Sequence, residues 1–216
     1  MEDLTQYSKA ARTLSYSHPE SAVIFKIAWN AVASRPGVLL EEYSEAESQV
    51  FKGKAHFSLK IGDKPFAVNV WVDESKKEVE FVVWSRDKSD AESLLGELMT
   101  QVSSQVSKYN ELPDDSKQRV KRALLAKICW DRLVFAILNK APLDDVYMQI
   151  AHGREMFIKA TEGEELHPLA LTTSGWLRQL EPLPRSDPLP GGLATELAKK
   201  SVEWKKDTLS VLSKYL

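Results

Sequence analysis

The residues best suited to recognition chemistry fall between positions 54 and 84. Three runs there alternate apolar and polar residues with a period of two: Ala55, Phe57, Leu59 and Ile61; Phe66, Val68, Val70 and Val72; Val79, Phe81 and Val83. Such alternation predicts half-buried strands joined in an antiparallel meander. Closing the first hairpin over Gly62-Asp63-Lys64-Pro65 sets Ile61 opposite Phe66, and closing the second over residues 74–78 sets Val72 opposite Val79. In that register the apolar residues share one face, as burial requires. The other face carries the rows His56–Trp71–Glu80, Ser58–Asn69–Val82 and Lys60–Ala67–Trp84. His56, Asn69, Trp71, Glu80 and Trp84 are therefore the expected binding surface, since tryptophan is enriched at interaction hot spots. If an enzyme or ligand-binding pocket instead lies between the sheet and helices, His56, Trp71 and Glu80 are its first suspects, and no residue is assigned a catalytic role. Large exposed aromatic patches are rare on monomers, so the Pro-rich segment or the last helix is expected to cover it.

A second group is basic. Lys117, Arg119, Lys121, Arg122 and Lys127 stand within eleven residues at the start of a predicted helix, and cations at such density can contact phosphates. At 100° per residue they spread around the helix, and Asp114 and Asp115 precede them, which disfavours a nucleic-acid stripe. Cys129 is the only thiol and lies in an apolar run, so it reads as packed and inert. His18, His56, His152 and His167 lack metal-ligand spacing. The acidic groups Glu41, Glu42, Glu45 and Glu47, and Glu162, Glu164 and Glu165, read as solvated surface without calcium-loop spacing. Asp144-Asp145 suits a helix start, where carboxylates favour the dipole. The sequence holds no Walker A loop, Gly-x-Gly-x-x-Gly, Gly-x-Ser-x-Gly, His-Glu-x-x-His or Cys-x-x-Cys. No cofactor or metal is expected, and the balance leans away from an enzyme, although active sites can be assembled from scattered residues.

The elements that must position these groups follow from period and punctuation. Residues 1–16 are expected to form a short helix with Leu4, Tyr7, Ala11 and Leu14 on one side. Ser17-His18-Pro19-Glu20 reads as a capping box before a largely buried helix to Ser34, with Lys26 and Asn30 as its polar strip. Val38–Tyr43 supplies a possible fourth strand, while Glu41–Ser48 suits a helix equally well. Ser89–Glu92 reads as a second capping box for a helix to Asn110. Further helices are expected over 115–139, over 144–159, shortened at Gly153, and over 193–215. Five prolines within 161–192 predict an extended, irregular segment, packed through Trp176 and several leucines.

The fold class is thus α+β: an antiparallel meander of three to four strands flanked by helices, then a mostly helical half. Residues 1–112 and 113–216 form the two halves, expected to pack as one compact unit. The chain has 216 residues and a net charge of -2, which excludes a generally basic nucleic-acid coat. No signal peptide or transmembrane segment is read, and one cysteine suits a reducing compartment, so a soluble cytoplasmic protein is the expectation. The leading function is a non-catalytic protein-interaction or regulatory protein, with a protein partner or self-association. The alternatives are a small-molecule enzyme or ligand-binding protein with a sheet/helix pocket, and a nucleic-acid-associated protein using the basic helix start.

Overall fold

The computed structural model describes residues 7–17, 20–47, 50–163, 165 and 167–216. His18, Pro19, Glu164 and the first part of the expected N-terminal helix, residues 1–6, lie outside them. The protein is α+β; its described residues form six helices and a five-stranded antiparallel sheet, which corrects the expected three to four strands. It divides into two compact units, Met1–Asn110 and Glu111–Leu216. Among the described residues no helix is long and apolar enough to cross a membrane.

The first unit holds β1 (Ser8–Ser15), α1 (Ser21–Ala33), β2 (Leu39–Glu47), β3 (Phe51–Ile61), β4 (Lys64–Asp73), β5 (Glu78–Ser85) and α2 (Lys88–Glu111). The strand order is β1-β5-β4-β3-β2, so β1 and β2 form opposite edges and α1 carries the chain between them. β1 replaces the helix expected near the N-terminus. Only one β-branched residue, Thr13, occurs within it, and Ala, Arg and Leu are good helix formers. Pairing of Ser8–Ser15 with Glu78–Ser85 overrides that local preference. β2 continues to Glu47 as a strand, so the helical alternative over 41–48 is not adopted up to that point.

The inner face of the sheet packs on α1, which lies across β3, β4 and β5. Ala55, Phe57, Val68, Val70, Val79, Phe81 and Val83 are fully buried there, with Ile24, Phe25, Ile27 and Trp29 of the helix. Trp29 meets the Phe57 ring edge-on at 5.4 Å. Asn30, expected on a polar strip, is buried instead and accepts a hydrogen bond from the Ser34 hydroxyl at 2.9 Å. Both expected capping boxes give way to other caps. The Tyr16 amide still bonds the Lys77 carbonyl beside β1, so Ser17 cannot open the helix, and Glu20 is the N-cap without a side-chain bond. At α2 the Asp87 carboxylate accepts from the Ser89 amide at 2.7 Å, standing where Ser89 was expected.

The second unit is helical: α3 (Asp114–Leu138), α4 (Leu143–Ala160), α5 (Pro168–Leu180) and α6 (Gly191–Leu212). α3 packs against α4 and α6, and α4 against α5. α4 runs straight through Gly153. A Cβ there would lie 2.5 Å from the Trp130 ring, so glycine is the residue that lets α4 approach α3 this closely. The Trp130 indole N–H donates to Thr208 Oγ1 at 3.0 Å, and the Trp204 indole N–H donates to Thr172 Oγ1 at 3.1 Å. The predicted irregular segment is corrected over 168–180, where α5 forms. Pro168 occupies the first turn, where its missing N–H breaks no bond, and the His167 Nδ1 accepts from the Leu169 amide at 3.1 Å.

Gly53 of β3 makes a comparable approach in the sheet unit, where a Cβ would fall 2.8 Å from the Phe25 ring. Gly53→Ala is expected to destabilise the protein by about 1–3 kcal/mol through overpacking. Gly96→Ala, where a Cβ meets nothing within 4 Å, is expected to be neutral or to stabilise α2 by up to about 1 kcal/mol. Thermal or urea unfolding of the two variants checks the contrast.

Candidate functional site

Period-2 alternation places the candidate surface on the outer face of the sheet, opposite α1. The row composition depends on the turns. The β3–β4 turn is the two-residue Gly62-Asp63, with Gly62 at φ 60°, and it pairs Ile61 with Lys64. Glycine at the first central position suits a type II′ hairpin. Pro65 then stands opposite Lys60, at a pair that exchanges no ladder bonds, and β5 ends at Ser85 opposite Phe66. Its missing N–H therefore removes no bond, and the strand accommodates a proline expected in the turn.

The expected register of the first hairpin is thereby corrected by two residues, while that of the second stands: Val72 faces Val79. A shift of two keeps every side chain on its face but moves it to another row. The row expected to be His56–Trp71–Glu80 is Lys54–Trp71–Glu80, extended by Ser44 on β2 and Thr13 on β1. His56 faces Asn69 and Val82 instead, and Ser58 faces Ala67 and Trp84. The His56 Nδ1–H donates to the Asn69 side-chain oxygen, and the His56 and Trp84 rings meet at 6.5 Å. His56, Asn69 and Trp84 thus form one cluster, and Trp71 and Glu80 belong to another. Both indoles are half-buried; Val82, on the same face, is fully buried.

Around Trp71 the outer face is hollowed into an open groove of about 520 Å3. Its described lining belongs to the sheet unit and includes Thr13 and Ser44 at the edges, Lys52 and Lys54 on β3, Trp71 and Asp73 on β4, Glu78 and Glu80 on β5, and Lys76 in the β4–β5 turn. Lys54 is drawn toward the sheet edge by Glu42 at 2.9 Å. The Lys54 hydrogen bond and charge hold the Glu42 carboxyl below the usual carboxylate range. The Asp73 carboxylate accepts from the Ser75 hydroxyl and amide, which lowers its pKa and ties it to the turn. Lys52, Lys76, Glu78 and Glu80 make no side-chain hydrogen bond or ion pair among the described residues. Thr13, Ser44, Lys52, Lys54, Lys76 and Glu78 were not among the expected surface residues. The signal for Lys54 and Lys52 was present in the alternation of β3 but pointed to the wrong row.

The basic group does not assemble. Lys127 is corrected outright: its side chain is fully buried and bonds Asp131 at 2.9 Å, so it cannot reach a phosphate. Lys205 of α6 holds the other Asp131 oxygen at 2.8 Å. Burial pushes the Lys127 ammonium below the ordinary lysine range, against the pull of Asp131. Burial also works to raise the Asp131 pKa, but the two ammonium groups hold it below its usual value. Arg119 pairs with Glu162 beside a hollow of about 170 Å3, and Arg122 donates to the Lys159 carbonyl at 3.2 Å. Cys129 is buried in α3. His152 is exposed on α4, His167 caps α5 with its ring on Phe157, and no group of three or more described His, Cys, Asp or Glu residues is arranged to hold a metal.

Removing one partner from a buried ion network strands the remaining charges. Asp131→Ala is expected to destabilise the protein by about 3–5 kcal/mol. Lys127→Met keeps the side-chain volume and leaves Asp131 on Lys205, so its expected loss is below about 1.5 kcal/mol. Chemical denaturation of both variants tests the asymmetry. No family model matches the chain, and neither a curated protein nor a solved structure matches it.

Proposed function

We propose that the protein works by binding another polypeptide on the outer face of its sheet, without catalysing a reaction. The observation that carries this reading is the open groove of about 520 Å3 with Trp71 in its lining and side-chain charges of both signs around the indole, of which Glu78 and Glu80 make no ion pair among the described residues. Interaction hot spots combine a large aromatic anchor with a polar rim, and this groove has that make-up. The register weighs against a catalytic pair, because His56 and Glu80 stand in different rows and His56 is engaged with Asn69. Burial of Lys127 and pairing of Arg119 weigh against the basic helix start as a nucleic-acid contact. In this reading the protein acts in a reducing compartment such as the cytoplasm, as suits a chain with a single cysteine.

A benzophenone amino acid placed at position 44, on the groove edge, tests the reading by photo-crosslinking in cells. Polypeptide adducts are expected from position 44, lost on Trp71→Ala, and not obtained from position 179 on the exposed side of α5. Adducts that persist in Trp71→Ala, or none at position 44, sink the reading. Salt-sensitive oligonucleotide binding lost on Lys117→Ala with Lys121→Ala would transfer support to the nucleic-acid alternative.

A further inference from the structure

The groove carries a charge pattern more specific than a mixed rim. Two rows cross it, Thr13–Glu80–Trp71–Lys54–Ser44 and Ser15–Glu78–Asp73–Lys52–Ala46. In both rows β5 contributes a carboxylate and β3 a lysine, with β4 between them. Neighbouring strands lie about 4.8 Å apart, so the acidic and basic columns are separated by about 10 Å. Trp71 stands in the gap, and neither Glu78 nor Glu80 is neutralised across it. Lys54 leans the opposite way, toward Glu42, and Asp73 is held by Ser75. The groove therefore presents a carboxylate column on β5, Trp71 with Asp73 on β4, and a lysine column on β3, with Lys52 and Lys76 acting on Asp73 through their charge.

We infer that the occupant is an extended, proline-rich segment of a partner protein, lying across the strands, with a basic and an acidic residue three positions apart. The match is geometric as well as electrostatic. A polyproline II segment has three residues per turn and rises about 3.1 Å per residue, so positions i and i+3 share a side about 9.3 Å apart. A β-strand places same-side residues about 6.6 or 13 Å apart, which fits the 10 Å spacing less well. The cation meets Glu78 and Glu80, the carboxylate meets Lys52 and Lys54, and the intervening prolines lie on the Trp71 ring, the manner in which aromatic-lined grooves take such segments. Such a segment is already extended when free, so little ordering entropy is lost on docking.

This inference rests on the outer face being the partner surface, and the test separates the two. Three dye-labelled, end-blocked proline decapeptides are titrated with the full chain by fluorescence polarisation. One carries arginine and glutamate at i and i+3, the second at i and i+2, and the third glutamine at both positions. The i, i+3 probe is expected to bind at least about tenfold tighter than the others, a difference of about 1.4 kcal/mol. Its binding is expected to be lost on Trp71→Ala and on the charge-reversal variant Glu78→Lys with Glu80→Lys, and to weaken with added salt. Equal binding of the three probes, no binding of any, or binding indifferent to Glu78→Lys with Glu80→Lys overturns the inference. If crosslinking at position 44 still yields polypeptide adducts in that case, the partner surface stands and only its specificity is lost. Self-association abolished by Trp71→Ala would assign the groove to a second copy of this chain and would likewise overturn it.

Discussion

The pairing of β3 with β4 is the constraint on which the outer face depends. A two-residue turn at Gly62-Asp63 puts Lys54 opposite Trp71 and His56 opposite Asn69. Two more residues in that turn would bring His56 beside Trp71 and Glu80 without changing any residue's face. One glycine with a positive φ thus separates an imidazole–carboxylate pair and creates a lysine column facing an acidic one. The inner face tolerates either pairing in terms of polarity, because both keep apolar residues against α1. What selects between them is turn geometry together with the fit of Phe57, Ala55 and Gly53 beneath Phe25 and Trp29.

The helical unit is organised by a different kind of contact. Trp130 reaches from α3 to the Gly153 position of α4 and lies 5.2 Å from the Trp204 ring of α6. Two large rings in van der Waals contact contribute dispersion and burial, and their indole N–H groups are satisfied by Thr208 and Thr172. Nearby in sequence, Asp131 holds Lys127 and Lys205 on its two oxygens, linking α3 to α6. Buried ion networks add little net stability, but they penalise every arrangement that leaves a charge alone. The pairing between these helices is therefore specified by polar contacts inside an otherwise apolar core.

Much of this architecture was legible in the residues. The meander could be read from the alternation at 55–61, 66–72 and 79–83, and α3, α4 and α6 from their apolar stripes. The errors fall where local and tertiary preference disagree. Ser8–Ser15 has the composition of a helix and becomes a strand because the edge of β5 offers it a ladder. Pro168 lies in a proline-rich stretch, yet it opens α5 because the first helical turn does not need its N–H. The capping boxes were displaced because Tyr16 remains bonded beside the sheet and Asp87 reaches the Ser89 amide first. At the candidate surface, Trp71 and Glu80 were found together, whereas Lys52 and Lys54 were missed for the single reason that the first turn is shorter than its polar residues suggested.

The sequence by itself determined the class of the fold, the face of each strand residue and the stripe of each long helix, because those follow from periods of two and 3.6 residues. Only the tertiary structure decided which residues meet. Strand parity is insensitive to shifts of two, so the rows across the outer face depend on a turn conformation that polar composition does not specify. A lysine at the basic start of α3 could not be told from its surface neighbours until the packing of α6 enclosed it with Asp131. Faces are a property of one segment, and rows, grooves and buried charges are properties of segments brought together.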